Sequence, residues 1–306
     1  MKLALGIGIV FITCAGTFAQ EFPVIGQYMF NEMLLNPASA GHQDAFVSQY
    51  SFRKQWIQVE GSPTTQNLSV QSPMKREDMA LGFIFYRDQL GVSAESGLIT
   101  NYAYRVKLAD KQRLVFGLGA GLFFQRVRYT ELDLTHSGDQ NFSSDSPLGV
   151  LPNFSAGIRY EFKGFELGLS IPKFLTTRYN QNSSQFELQH RFFNYNFLLR
   201  SVYRYEINAG MRLRLGGLFK YHATMRSQLD VTIAGIFKEV VQVGFGYRSG
   251  EGVIILSRVN IIEQLDLGLQ YEIPTSKLYE YRSGTMEISL IYTSLFSSKA
   301  KNPRHL

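Results

Sequence analysis

From residue 44 onward the chain alternates apolar and polar residues with period two, in successive segments of roughly ten residues with no helical stretch between them. Phe154, Ile158, Tyr160 and Phe162 fall on one face of such a segment, with Ser155, Gly157, Arg159 and Glu161 on the other. The pattern recurs in Leu98, Tyr102 and Tyr104 against Asn101 and Arg105, and in Phe197, Leu199, Tyr203 and Tyr205 against Arg200 and Arg204. Phe193 and Tyr195 extend that last apolar face backward. Counting the segments gives 44–56, 64–72, 79–87, 95–108, 112–128, 152–163, 164–171, 191–205, 209–221, 227–238, 240–248, 252–260, 264–272 and 284–294, fourteen in all. A soluble antiparallel sheet alternates too. An even strand count, Tyr and Phe gathered at strand ends and the absence of intervening helices point instead to a transmembrane antiparallel outer-membrane β-barrel spanning 44–296.

Connection lengths test the count. With the N-terminus in the periplasm, the long connections 129–151, 172–190 and 273–283 all follow odd-numbered strands and lie outside the cell, whereas the turns after even-numbered strands are short. A wrong count would scramble this asymmetry. The two longest connections are rich in Ser, Asn and Gln, as solvated loops are.

The first 19 residues read as an export signal. Lys2 precedes an apolar run from Leu3 to Ile12, too short to span a membrane, and Thr17-Phe18-Ala19 offers a small-x-small cleavage site. A lipoprotein signal ending at Cys14 is the poorer reading, because Phe11, Ile12 and Thr13 make a weak lipobox. Cleavage after Ala19 removes the chain's one Cys, so the exported chain relies on no disulfide. The net charge of +6 is spread thinly with no basic run, which argues against nucleic acid. Residues 20–43 precede the first strand and lie in the periplasm or fold back as a plug; 297–306 form a tail.

No catalytic, cofactor or metal signature stands out. The five His are scattered, and the Gly117-Leu-Gly119-Ala-Gly121 run lies inside a strand, where its small residues make room in a crowded lumen. The charges assigned to the lumen are Arg105, Lys107, Arg159, Glu161, Lys163, Glu166, Arg200, Arg204, Arg212, Arg214, Asp230 and Glu287. They form either a solute pathway or, the preferred reading, paired charges that stiffen a closed barrel. Arg159→Ser is expected to be mild, and Trp56 reads as an interface anchor.

Between residues 27 and 66, four blocks appear in order: Gln27-Tyr28-Met29-Phe30-Asn31, then Asn36-Pro37-Ala38 with Gly41, then Arg53-Lys54-Gln55-Trp56, then Pro63-Thr64-Thr65-Gln66. They resemble the signature of the PorP/SprF family, outer-membrane proteins of the type IX secretion and gliding-motility systems of Bacteroidota. Gly284-Thr285-Met286-Glu287-Ile288 resembles the family's Gly-Ser-His-Glu-Ile run, with departures at Thr285 and Met286. The resemblance implies a non-enzymatic barrel in the outer-membrane lipid. Its partners would be periplasmic secretion-machinery proteins and a secreted cargo or adhesin with a C-terminal sorting domain, exported or anchored at the cell surface. Turn formers and hydrogen-bonding groups dominate the signature, as befits a fixed irregular segment rather than a catalytic set. Candidate cargo-binding residues are the aromatic and imidazole groups of the outer loops: Tyr129, His136, Phe142, Tyr179, Phe186, Tyr279 and Tyr281. The competing reading is a porin or transporter for small solutes.

Overall fold

The computed structural model describes residues 28–75, 78–132, 143–180, 185–275 and 284–294. Among these the strands are β1 Phe46–Lys54, β2 Thr64–Pro73, β3 Met79–Leu90, β4 Ser93–Ala109, β5 Gln112–Val127, β6 Gly149–Phe162, β7 Phe165–Ile171, β8 Thr176–Asn180, β9 Gln185–Gln189, β10 Phe197–Asn208, β11 Met211–Tyr221, β12 Gln228–Phe237, β13 Val241–Arg248, β14 Gly252–Ile262, β15 Leu265–Pro274 and β16 Thr285–Ser294. Fourteen of them, all but β8 and β9, form one closed antiparallel barrel in which each strand pairs with its neighbours in the chain. β16 returns to β1 from Phe46↔Ser294 to Lys54↔Met286, so no edge is left unpaired.

The alternation is read out as a surface turned inside out. Phe83, Phe85, Leu118, Phe154, Ile158 and Phe245 point outward and are exposed, whereas Gln49, Ser51, Asn67, Ser69, Asn101 and Arg159 point inward and are buried. Turns of two or three residues join β4–β5, β6–β7, β10–β11, β12–β13 and β14–β15 at one rim, where Met74, Lys75 and Asp78 flank the connection from β2 to β3. Lys163 and Gly164 both take positive φ, as do Lys238 and Glu239, which suits tight hairpins matched to sheet twist. The opposite rim carries, of its long connections, the described residues 55–63, 128–132, 143–148, 172–180, 185–196, 275 and 284. The count and the loop asymmetry agree with the sequence.

Three details differ. The eighth barrel strand begins at Phe197 rather than 191, because Phe192–Asn194 forms a 3-10 turn; Tyr195 is buried, not lipid-facing. There it makes edge contacts with Phe174 and Phe192, ring centroids 5.2 and 5.6 Å away. The connection expected at 172–190 carries its own hairpin, β8 with β9. Lys107 and Lys163 are exposed at the short-turn rim rather than in the lumen, since their strands end there.

The register also revises one expectation. Arg159 is 1% exposed and its guanidinium lies 2.5 Å from Glu161, so Arg159→Ser would strand a carboxylate and is not the mild change read from the sequence. Ile158, its outward neighbour, meets lipid: Ile158→Arg should cost about 2–4 kcal/mol if mid-membrane, while Ile158→Leu should be silent. The heat-modifiable folded band on a gel, followed through urea, measures this; an unaffected Ile158→Arg band would place that side chain away from lipid.

Candidate functional site in the plugged lumen

Residues 28–45 run inside the barrel. Two 3-10 turns, Glu32–Leu34 and Pro37–Ser39, compact the segment, and Tyr28, Met29, Phe30, Asn31, Met33, Ala38 and Ala40 are almost wholly buried. Asn36 caps the second turn by accepting a hydrogen bond from the Ala38 amide at 2.9 Å, and Pro37 follows at the first helical position. The Asn36 amide also donates to the Ile158 carbonyl at 3.2 Å, Asn31 donates to Ser69 at 2.6 Å, and Ser170 donates to the Leu35 carbonyl at 2.7 Å. These partners lie on β6, β2 and β7, so the segment is braced against separated walls of the barrel. Two glycines make the fit possible. A Cβ at Gly117 would lie 2.0 Å from the Ala38 amide nitrogen, and Gly41 has φ +65° while its N–H donates to Gln71 at 2.8 Å.

Charge does the rest. Glu32 enters a cage of guanidinium groups: Arg200 hydrogen-bonds its carboxylate, Arg214 lies at 3.1 Å and Arg159 at 3.8 Å. Glu166 pairs with Arg204, and His42 bridges Glu161 at 3.4 Å and Glu166 at 3.2 Å. Burial is the largest influence on Glu32 and opposes its ionisation, yet Arg200, His42 and Arg214 together outweigh it and hold the carboxyl below its ordinary range. Burial and Arg159 likewise oppose protonation of His42, but hydrogen bonds to Glu161 and Glu166 raise its pKa above 6.5. A second network lies nearer the long-loop rim, where Arg53 contacts Glu272 at 2.9 Å and Glu287 at 3.3 Å, and Arg248 joins Asp230 at 3.0 Å to Glu272 at 3.1 Å. The paired-charge reading of the lumen therefore describes it better than a ring of bare bases.

Ligand atoms of Glu32, His42 and Glu166 fall within 4.8 Å of one another, close enough for a cation. Among the described residues, however, four guanidinium groups (Arg159, Arg200, Arg204 and Arg214) face the three carboxylates of Glu32, Glu161 and Glu166. A divalent cation would add charge to a cluster already positive, so the donor set does not suit one.

The plug divides the lumen. On the short-turn side a cavity of about 620 Å³ is bounded by Met29, Phe30, Glu32, Ser39 and His42 of the plug and by Arg204, Arg214 and Arg258 of the wall. On the long-loop side a cavity of about 270 Å³ lies between strand ends, the connection after β7 and the start of β8.

The signature residues converge on this arrangement. Tyr28 to Asn31, Asn36, Pro37, Ala38 and Gly41 form the plug; Arg53 and Gln55 are buried in the lumen; Thr65 points inward and Gln66 outward, near the Tyr50 hydroxyl at 3.5 Å. Trp56 sits just past β1 with φ +50°, its N–H donating to Thr285. Gln27 lies outside the described residues.

The cargo-binding candidates are less gathered. Tyr129 is half-buried in a 3-10 turn after β5; Tyr179 and Phe186 are cross-strand partners in the β8–β9 hairpin; and the Phe186 ring packs inward on Gly149 and the Tyr86, Phe123, Leu151 cluster. His136, Phe142, Tyr279 and Tyr281 lie outside the described residues. Sequence reasoning missed Glu32, His42, Arg248 and Glu272 as members of the networks. For Glu272 the parity of Leu269, Gln270 and Tyr271 carried the signal, while no periodicity marks Glu32. It also missed the exposed pair Phe192 and Phe193, which it had placed in a strand.

Residues 17–292 match the family described as type IX secretion system membrane protein PorP/SprF. The chain belongs to the PorP/SprF family. No curated protein matches the sequence. Among solved structures the CymD monoaromatic hydrocarbon channel is similar at a TM-score of 0.52 and 10% identity, covering 89% of this chain and 93% of its own. The outer membrane protein Omp33 of Acinetobacter baumannii follows at 0.49 and 6% identity, with coverages of 82% and 99%. At such identities the likeness is one of fold, the outer-membrane barrel. Family and fold together place this PorP/SprF member in the outer membrane as a component of type IX secretion.

Two outcomes follow for the plug. Removing one partner of a buried charge cluster costs about 3–5 kcal/mol, so Glu32→Ala should unseat the segment and turn a silent barrel into a conducting one in a planar bilayer. Wild-type and variant traces that coincide would show that Glu32 does not hold the plug. Because His42 has a raised pKa in the folded state, its contribution is complete below its ordinary value of 6.5 and is lost as pH rises through the raised one. Plug protection, read by hydrogen exchange, should therefore weaken with rising pH in the wild type and stay flat in His42→Gln.

Proposed function

We propose that this chain is a non-enzymatic barrel that helps export, or anchor at the cell surface, secreted proteins bearing a C-terminal sorting domain, in the type IX secretion and gliding-motility machinery. The observation that carries the reading is the plug. A barrel whose lumen is filled by its own N-terminal segment and cross-linked by ion pairs is suited to presenting surfaces rather than to passing solutes. On this reading residues 1–19 are a signal cleaved near Ala19, 20–43 are the plug segment, and the short-turn rim with its cavity faces the periplasmic machinery.

The cargo would meet the opposite rim, where long connections and exposed aromatics coincide. Recognition belongs to such loops while the barrel positions them. Tyr129, His136, Phe142, Tyr179, Tyr279 and Tyr281 remain the anchors proposed there; Phe186 acts beneath the surface, and Phe192 and Phe193, 66% and 67% exposed, join the set. Asp145 and Ser146 must be spared in any test. Asp145 accepts from the Thr130 hydroxyl at 2.7 Å and Ser146 from the Val127 amide at 2.8 Å, so both brace the loop base. Deleting residues 135–142 should leave the barrel assembled and lower the cargo at the cell surface several-fold. Normal surface cargo together with reduced small-solute uptake would favour the porin reading instead.

A further inference from the structure

The long-loop mouth of the lumen contains a cavity of about 270 Å³, far above the roughly 10–15 Å³ that one water occupies on the same measure. Phe123 lines it, and Tyr86 packs against the Phe123 ring edge to face, centroids 5.9 Å apart. Glu95 stands beside them and accepts hydrogen bonds from the Tyr86 hydroxyl and the Gln125 amide. A single ammonium group completes the set. Lys173 Nζ lies 2.8 Å from Glu95 and 4.4 Å from the centroid of the Phe123 ring. The ring face attracts an alkylammonium through its quadrupole, and the carboxylate adds a charge-assisted hydrogen bond to the same group.

Lys173 lines the cavity but does not come from a barrel strand. It enters from the connection after β7, whose path is fixed by Asn153: the amide oxygen accepts from the Phe174 and Leu175 N–H groups at 3.0 and 3.1 Å, and the amide nitrogen donates to the Leu175 carbonyl at 2.6 Å. The loop therefore keeps its course whichever side chain stands at 173. A second carboxylate, Asp88, lines the same cavity and accepts from the Thr65 hydroxyl at 2.5 Å. Among the described residues that line the cavity, the carboxylates of Asp88 and Glu95 thus accompany the one ammonium of Lys173.

We propose that this mouth is a receptor for lysine side chains of an extracellular polypeptide, with Lys173 as a built-in stand-in that marks the chemistry the site accepts. The proposal rests on the reading that the long-loop rim meets a secreted protein, and names the chemistry of that contact. An incoming ammonium group pairs with Asp88 beside Lys173, or displaces Lys173 from Glu95 and Phe123.

The test is calorimetry on the full-length barrel in detergent, titrated with tetralysine, with N-acetyl-lysine amide and with tetraglutamate. Lys173→Met vacates the cage without crowding it, and should tighten tetralysine binding by about tenfold or more; Lys173→Arg should not. Adding Glu95→Gln and Asp88→Asn to Lys173→Met should abolish the binding, and tetraglutamate should give no heat. The heat-modifiable gel band confirms assembly of each variant, and Asp88→Asn alone, a nearly isosteric change, should already weaken tetralysine. Unchanged affinity in Lys173→Met, or tetralysine binding that survives loss of both carboxylates, overturns the site. N-acetyl-lysine amide binding as tightly as tetralysine overturns the polypeptide as its ligand. These readouts stand apart from the 135–142 deletion, since the cage can bind peptide whether or not surface cargo depends on that loop.

Discussion

Hydrocarbon offers no hydrogen-bonding partner, so a sheet that crosses it must close on itself, and the nine-residue pairing of β1 with β16 is what completes this chain's ladder. Everything else in the molecule follows from that closure. Once the outward face is committed to lipid, each strand must send its polar residues inward, and fourteen strands enclose more space than side chains alone can fill. The N-terminal segment fills it, which explains why the lumen wall carries glycines where the segment lies. A side chain at Gly117 would overlap Ala38, and one at Gly82 would overlap the Met33 sulfur. Gly117 of β5 and Gly82 of β3 are thus the imprint of the plug on the wall, whereas Gly119 and Gly121 make room for Asn101, Ser155 and Ile99 of the wall itself.

The ion pairs tie this arrangement into one unit. Glu32 links β6, β10 and β11 through Arg159, Arg200 and Arg214, while Arg53 links β1 to β15 and β16. Buried ion pairs add little net stability over apolar packing of the same shape, but they penalise a wrong register severely, because each misplaced partner leaves a buried charge bare. Apolar contact supplies the complementary part: Tyr28, Met29, Phe30 and Leu35 pack with Leu198, Leu218, Ile254 and Ile291. The seat is therefore greasy on one side and charged on the other, and a shifted segment would satisfy neither.

Much of the barrel was legible because lipid outside and water-like groups inside impose a strict parity that survives residue by residue, as in Ile158 and Arg159. Boundaries were less legible where aromatic residues occur off the strands. Phe193 and Tyr195 continue the parity of β10, yet they belong to a turn whose rings pack on one another. The plug was legible only as one of two places for a segment that precedes the first strand, since a segment of two 3-10 turns has neither period; Glu32 looks like any surface acid until three arginines from three strands are brought to it. Arg53 shows the converse, a residue noticed as part of a motif while its partners, Glu272 and Glu287, sit more than two hundred residues away.

The two mouths of the lumen differ in chemistry, and the plug is their shared partition. Met29, Phe30, Glu32, Ser39 and His42 form part of the wall of the large cavity at the short-turn rim, whereas Met33, Leu34, Leu35 and Pro37 border the narrow slot that leads from Tyr86 and Phe123 at the long-loop side. One segment of the chain is floor to one chamber and ceiling to the other. A group that presses on the slot presses on Met33, which shares its 3-10 turn with Glu32, and the Glu32 carboxylate is what the arginines grip. Any coupling between the outer and inner faces therefore has a short mechanical route through two adjacent residues, and the strength of the charge cage sets how hard that route must be pushed before the plug yields.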